Sequence, residues 1–599
     1  MRSQHTRRAV LGAGISLAGS GVLAACAGAT APARSVASNG STNSGSANHG
    51  STNHDTADHG SADHDRSPAP QGRGGYVAPS GEEVAAVEAK RGSGPVRKIG
   101  LTATPARLDL GGGLTVNSWA FNDRLPGKEV RITAGDTLAV TLANHLPKPT
   151  TLHWHGLHVR NDMDGVPGLT QQAIRPGAQF TYRFAVRQPG TYWFHPHQGV
   201  QQDRGLYAPL IVEDPKEPLS YDKEWVVVLD DWVDGVQGST PDGVLAELSH
   251  GMAGMEGMDH GSSGSSRSFG SDGSFGSDGS FGSDGSDGSF GSFGSDGSDA
   301  FGGSDDKPGS RSGPSRVLRG SRSRLLGGEA GSVAYPYYLI NGRVPKDPTT
   351  FTAKPGDRIR LRIINGGGDT PFRVALGGHR MTITHADGFP VRHTTTDALL
   401  LGMGERYDVL VTARDGVFPL TAVAEGKRAS ALALLRTGGG AAPGASVQPK
   451  ELNGKLVSAF ELEPDRSVAL AARRPDRTIR IKLTGSMRAF DWAFDHRKYD
   501  PDQRHPVQAG ERVRLEFYNI TEMWHPIHLH GHTFALAGRA GKYSVLGRAP
   551  RARKDTAVLL PNRSVAVEFD ADNPGLWMLH CHNVYHSNVN MMTVLGYRR

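Results

Sequence analysis

The chain has 599 residues, a formal net charge of +6, 79 glycines and two cysteines. That length corresponds to several domains of about 150 residues each, and the small net charge, with no base-reading motif, gives no case for a nucleic-acid binder. The cysteines are Cys26, in the leader, and Cys581, so a processed chain holds no internal disulfide.

In residues 1–26, Thr6-Arg7-Arg8 precedes a weakly apolar run from Ala9 to Ala25, which reads as a twin-arginine export signal. It closes with Leu23-Ala24-Ala25-Cys26, similar to a bacterial lipobox that would leave Cys26 acylated; an ordinary cleavable signal and an uncleaved anchor are the alternatives. Residues 27–94 form the next stretch, rich in Ser, Gly and Asn, with His49, His54, His59 and His64 at five-residue intervals. It offers too little apolar surface to offset the entropy of ordering, and is expected to be a disordered tether, either a plain linker or a weak metal-capturing arm.

From residue 95 to 215 the pattern changes to short alternating strands, Glu129 to Ile132, Thr137 to Leu142 and Phe180 to Phe184, separated by turn residues such as Gly135-Asp136 and Pro176-Gly177. This is the grammar of a Greek-key sandwich. Two histidine pairs fall here, His153-Trp154-His155 and His195-Pro196-His197. At i, i+2 on a strand both rings leave the same face, with Cα atoms roughly 6.5 Å apart. His158 lies outside the pairing and reads as a non-ligand. A second domain, 222–435, opens on Trp225 to Trp232 and resumes at Tyr337 to Gly342; with no histidine pair and no cysteine, it is expected to space the outer domains and wall a cleft.

An insertion at about 250–330 interrupts it. Met252, Met255 and Met258 lie between His250 and His260, followed by a Ser-Phe-Gly-Ser-Asp-Gly repeat and a basic run containing Arg311, Arg316, Arg319, Arg322 and Arg324. The repeat cannot build a core. The thioethers suit Cu(I), or are incidental loop composition.

The third domain, 450–599, carries strands at Arg512 to Phe517 and Ser564 to Phe569, and the two richest motifs, His525-Pro526-Ile527-His528-Leu529-His530 and His580-Cys581-His582. Successive side chains on a strand alternate faces, so Cys581 points away from both His580 and His582. A thiolate, two imidazoles and a weak axial thioether are the ligands of a blue, type 1 copper centre. Cys581, His586 and Met591 supply three of the four, and His525, opposite in parity to His528 and His530, can supply the last. His532 stays unassigned.

These segments, together with Gly156-Leu157-His158, Asp164-Gly165, Gly190 to His195 and Phe569 to Gly575, resemble the signatures of the multicopper oxidases, the laccase, ascorbate oxidase and cuprous oxidase family. The resemblance runs from about residue 95 to the end. It implies an all-β chain of three cupredoxin-like Greek-key β-sandwich domains and four copper ions. Type 1 copper would sit on His525, Cys581, His586 and Met591, type 2 on His153 and His528, and the type 3 pair on His155, His195, His197, His530, His580 and His582. The implied catalytic groups are Cys581, for electrons, and Asp164, for protons, the alternative for Asp164 being a plain turn residue. Many bacterial relatives carry acidic residues around the last type 1 histidine, where this chain has Tyr585 and Ser587, so Asp164 would carry more of the proton supply.

The implied activity is one-electron oxidation of phenols, aromatic amines or metal ions coupled to four-electron reduction of dioxygen to water. A cuprous oxidase protecting the envelope is the alternative within this class, and a non-catalytic copper-storage lipoprotein the alternative outside it. The implied partners are dioxygen and a small reductant, with membrane contact only through a lipid at Cys26. The expected location is the envelope, lipid-anchored on the outer side of the cytoplasmic membrane, or secreted.

Overall fold

A computed structural model describes residues 75–251, 313–540 and 551–599. The leader, most of the tether, the Ser-Phe-Gly repeat and Met252, Met255 and Met258 lie outside the described residues.

Six sheets of four to six strands follow one another along the chain in three sequential pairs. In the first pair, Val96–Gly111, Leu114–Phe121, Thr137–Asn144 and Gln179–Ala185 make one sheet, and Val130–Thr133, His153–His155, Gly190–His195 and Ala208–Glu213 the other. Leu138, Val140 and Leu142 of one sheet and Trp154, Phe194, Leu210 and Val212 of the other belong to one buried apolar cluster, the sandwich core.

Each sandwich repeats the same two parallel pairings. In the first sheets Val96–Gly111 pairs with Thr137–Asn144, Lys223–Trp232 with Arg358–Asn365, and Arg477–Thr484 with Arg512–Asn519. In the second sheets Val130–Thr133 pairs with Ala208–Glu213, Thr349–Thr352 with Ala429–Arg436, and Arg504–Val507 with Met592–Tyr597. Parallel neighbours cannot be joined by a hairpin, so the chain must cross between sheets, as Greek-key connections do. The fold is three cupredoxin-like β-sandwiches.

Three expected boundaries need correction. The tether does not extend to residue 94, because a helix spans Glu82–Arg91, with Glu82 and Glu83 in its first turn and Lys90 and Arg91 in its last. Val84 is buried, Glu88 accepts from the Ala185 amide at 2.7 Å, and Arg91 donates to Asn573 Oδ1 at 2.9 Å, so few but well-placed groups dock this segment. The insertion likewise ends before residue 330. Arg316 donates to Ser239 Oγ at 2.9 Å, Arg322–Ser323 pairs with Gly328–Glu329, and Leu326 is fully buried. The basic run reads as low complexity, yet its Arg316 and Leu326 are buried. Residues 450–464, expected to open the third domain, make bridges from Leu456 to Ala398 and from Pro464 to Val391 of the second sandwich.

Candidate copper centres

The strand His525–Leu529 lies between Leu576–Cys581 and Thr556–Leu559, with Ile527 opposite Cys581 and His528 opposite His580. Alternation then sorts the side chains. His525 and Cys581 fall on one face, His528 and His580 on the other. In the first sandwich His153 stands opposite His195.

On the cysteine face, Cys581 Sγ is 3.7 Å from His525 Nδ1 and 3.8 Å from His586 Nδ1, and the two nitrogens are 3.2 Å apart. Their outer nitrogens are engaged: His525 Nε2 meets Thr521 Oγ1 at 3.1 Å and His586 Nε2 meets Ser332 Oγ at 3.0 Å. Asn583 accepts from the amides of Tyr585 and His586 and so caps the helix Val584–Val589 that presents His586. Met591 is fully buried, and its carbonyl accepts from the Cys581 amide at 3.0 Å. Burial pushes the Cys581 thiol well up and both imidazoles down, His586 to about 3. The site is therefore a neutral thiol and two neutral imidazoles until a soft cation ionises the sulfur.

On the other face eight imidazoles converge across the seam between the first and third sandwiches. His153 stacks on His530 at 3.7 Å between centroids, and His155 on His528 at 3.8 Å. His580 Nε2 lies 3.1 Å from His530 Nε2 and 3.4 Å from His197 Nε2, while His582 Nε2 lies 3.2 Å from His155 Nδ1. Outer nitrogens are again held. His153, His195, His528 and His580 donate from Nδ1 to the carbonyls of Asp164, Pro196, Asp555 and Cys581. His530 Nδ1 donates to Asp164 Oδ2 at 2.9 Å, and His155 Nε2 donates to Asp555 Oδ1 at 3.0 Å.

With one nitrogen so fixed, the other bears a lone pair turned inward, and Nε2 of His153, His195 and His528 are buried with no hydrogen-bond partner. Burial first, then neighbouring imidazoles, hold His195, His197, His530, His580 and His582 well below the ordinary histidine range, so these five rings stay neutral. Neutral, converging, unpartnered imidazoles fit copper ions, and several groups of three lie within ligand reach of one another, among them His153, His155 and His195, and His197, His530 and His580. A cavity of about 230 Å³ lined by His195, His197, His580, His582, Gln202 and Ser587 opens on the cluster.

Several neighbours carry no motif in the sequence. Asp555 sits just before the strand Thr556–Leu559, touches His155 and His528, and receives both ends of the Arg406 guanidinium at 2.7 Å. Arg406 belongs to the second sandwich, so that domain reaches the histidines as well as spacing the other two. Gly404, at φ +84, lies where a Cβ would stand 2.8 Å from His155 Cε1 and 3.0 Å from His582 Cδ2. Of the unassigned histidines, His532 spends both nitrogens on His530 O and Tyr597 OH, and His158 lies 6.2 Å from its ring. Beside His586, Tyr585 donates to buried Asp203, which Tyr335 also contacts.

Three cupredoxin-like sandwiches with a cysteine–imidazole site and an imidazole octet on opposite faces of one strand define a blue copper oxidoreductase. Models of the multicopper oxidase family match residues 102–217, 322–440 and 472–598. The chain is 43% identical over 517 residues to the multicopper oxidase MmcO of Mycobacterium tuberculosis, covering 86% of this chain and 89% of that one. It is 27% identical to a copper resistance protein A homolog of Pseudomonas syringae pv. tomato, covering 83% and 93%. The solved structure of Fet3p, a multicopper oxidase that functions in iron import, superposes with a TM-score of 0.63 at 20% identity over 84% of this chain and 90% of that one. The chain belongs to the multicopper oxidase family. It is an oxidoreductase that uses four copper ions, one of type 1, one of type 2 and two of type 3, to couple one-electron oxidation of a small reductant to reduction of dioxygen to water.

Proposed function

We propose that His525, Cys581, His586 and Met591 hold the type 1 copper, His153 and His528 the type 2 copper, and His155, His195, His197, His530, His580 and His582 the type 3 pair. The observation that carries this reading is the placement of Cys581 Sγ within 3.8 Å of two imidazole nitrogens while His580 and His582, its covalent neighbours, join the octet. Bound copper supplies one-electron transfer at the first site and multi-electron reduction of dioxygen at the second. The chain supplies the rest. The peptide units flanking Cys581 join the two centres covalently. Thr521 and Ser332 fix the tautomers of His525 and His586, and Asp164 and Asp555 fix those of His530 and His155. Asp164, buried with Oδ1 3.2 Å from His153 Nδ1 and Oδ2 2.9 Å from His530 Nδ1, would carry protons to the octet.

The reductant we favour is a small soft metal ion, Cu(I). His586 Nε2, the edge a phenol would have to contact, is fully buried and covered by Ser332 Oγ, which itself donates to Met487 Sδ at 3.3 Å. The name of the copper resistance relative agrees with this choice. We further propose export by the leader at 1–26 and a lipid on Cys26, which loss of membrane attachment in Cys26→Ala tests. The functional reading is tested by steady-state rates of the copper-loaded protein with Cu(I) and with a phenol side by side: a higher kcat/KM for Cu(I) is expected, and a higher value for the phenol overturns the choice of reductant. Cys581→Ser should lose both the intense visible absorption and turnover with either donor. Retained activity in that variant overturns the type 1 assignment.

A further inference from the structure

Between the second sandwich and the cysteine site lies a buried ion pair that belongs to neither copper centre. Asp369 is fully buried, and Lys427 Nζ donates to its Oδ2 at 2.6 Å with the lysine side chain only 1% exposed. Lys427 is held in place by Thr370 Oγ1 at 2.9 Å and stands 5.2 Å over the Tyr335 ring. We propose that the Asp369–Lys427 pair positions the type 1 ligands and sets the reduction potential of that site from the neighbouring domain. The inference rests on the type 1 assignment above.

The positioning is built from two directions. Asp369 Oδ1 accepts from Asn583 Nδ2 at 2.5 Å, and the same Asn583 side chain accepts from the amides of Tyr585 and His586, so one carboxylate anchors the residue that caps the His586 helix. The Gly368 carbonyl adds a bond from the Val584 amide at 3.0 Å. From the other side, both oxygens of Asp369 accept from the Ser332 amide at 3.0 Å, and Oδ2 also accepts from that of Val333. This fixes the segment whose Ser332 Oγ meets His586 Nε2 at 3.0 Å. Asp369 is itself set by Asp231, which accepts from the Gly368 and Asp369 amides. The carboxylate therefore reaches His586 through both its helix cap and its outer nitrogen.

The electrostatic part follows from which charge is closer. Oδ1 faces Asn583, two residues from Cys581, whereas the ammonium lies beyond Oδ2. Between buried groups such charges are weakly screened. The carboxylate favours the more positive, oxidised state of the site and lowers its potential, and the ammonium opposes it. Removing either charge should move the potential in opposite directions, a signature that packing alone does not produce.

The test is potentiometric titration of the blue absorption, with electron paramagnetic resonance of the oxidised protein, in Asp369→Asn, Lys427→Gln and the double variant, all copper-loaded. In Asp369→Asn the reduced-to-oxidised ratio at fixed ambient potential should rise at least tenfold, equivalent to about 59 mV for a one-electron couple. In Lys427→Gln it should fall, and the double variant should lie between. Shifts of the same sign in both single variants, or no shift in either, overturn the proposal. Where Asp369→Asn does not retain copper, Lys427→Arg and Lys427→Gln decide: a wild-type potential in the first with a lowered one in the second supports it, and equal potentials overturn it. A wild-type protein without blue absorption would instead remove the type 1 assignment on which the inference rests.

Discussion

His530 Nδ1 donates to Asp164 Oδ2 at 2.9 Å, although the two residues are 366 positions apart and sit in different sandwiches. The Asp164 carbonyl holds His153 at the same time, so one residue orients a histidine from each side of the seam. Asp164→Asn preserves the shape and most of these contacts but removes a titratable group. The blue absorption should survive, because Cys581 faces away, while dioxygen reduction slows by about tenfold to a thousandfold, the range general acid chemistry commonly supplies. Stopped-flow reoxidation of the reduced enzyme across pH measures this, and an unchanged rate sinks the proton role.

Arg406 is the counter-charge of Asp555, and both are fully buried. Arg406→Met leaves a carboxylate uncompensated in contact with His155 and His528. Breaking such a pair costs about 3–5 kcal/mol, so a lower thermal midpoint and fewer than four coppers per chain are expected, with the type 1 colour retained. Wild-type copper content and stability together would show that the second sandwich does not support the octet through this residue.

Gly404→Ala tests the close approach of the second sandwich to the same histidines. The added methyl meets His155 Cε1 at 2.8 Å on a backbone at φ +84, so steric overlap and the left-handed conformation add. About 2–4 kcal/mol of destabilisation is expected, with selective loss of copper from the octet. Metal analysis beside the blue absorption separates the two centres, and full loading at wild-type stability would contradict the contact.

Stability should also depend on pH through His385, whose imidazole burial holds down at about 4. Between about pH 4 and 6.5 the folded protein keeps this ring neutral while the unfolded chain protonates it. The unfolded state takes up more protons there, so stability is complete above pH 6.5 and falls as pH drops toward 4, by on the order of 3 kcal/mol. Thermal midpoints of the copper-free protein at pH 7 and pH 4.5 should differ less in His385→Gln than in wild type. Identical pH dependence would show that other groups carry the acid sensitivity.

The sequence by itself determined whatever depends on the period of a strand. The strands at Thr137–Asn144, Gln179–Ala185, Arg512–Asn519 and Ser564–Asp570 were legible from alternation and turn residues, within a few residues at their ends. So were the facing of Cys581 away from His580 and His582 and the parity of His525, because a pleated chain turns successive side chains to opposite faces whatever it packs against. Composition misplaced the docked ends of the tether and insertion, where a short helix and a few buried groups such as Val84 and Leu326 outweigh an otherwise polar run. The tertiary structure alone decided which groups of other domains hold the histidines. Asp555, Arg406, Gly404, Ser332 and Asp369 act across domain seams, and such partners are fixed by how the sandwiches pack, which leaves no periodic trace in the chain. Sequence spacing can place ligands on a face, but the second nitrogens of His155, His530 and His586 are fixed by what another domain brings to them.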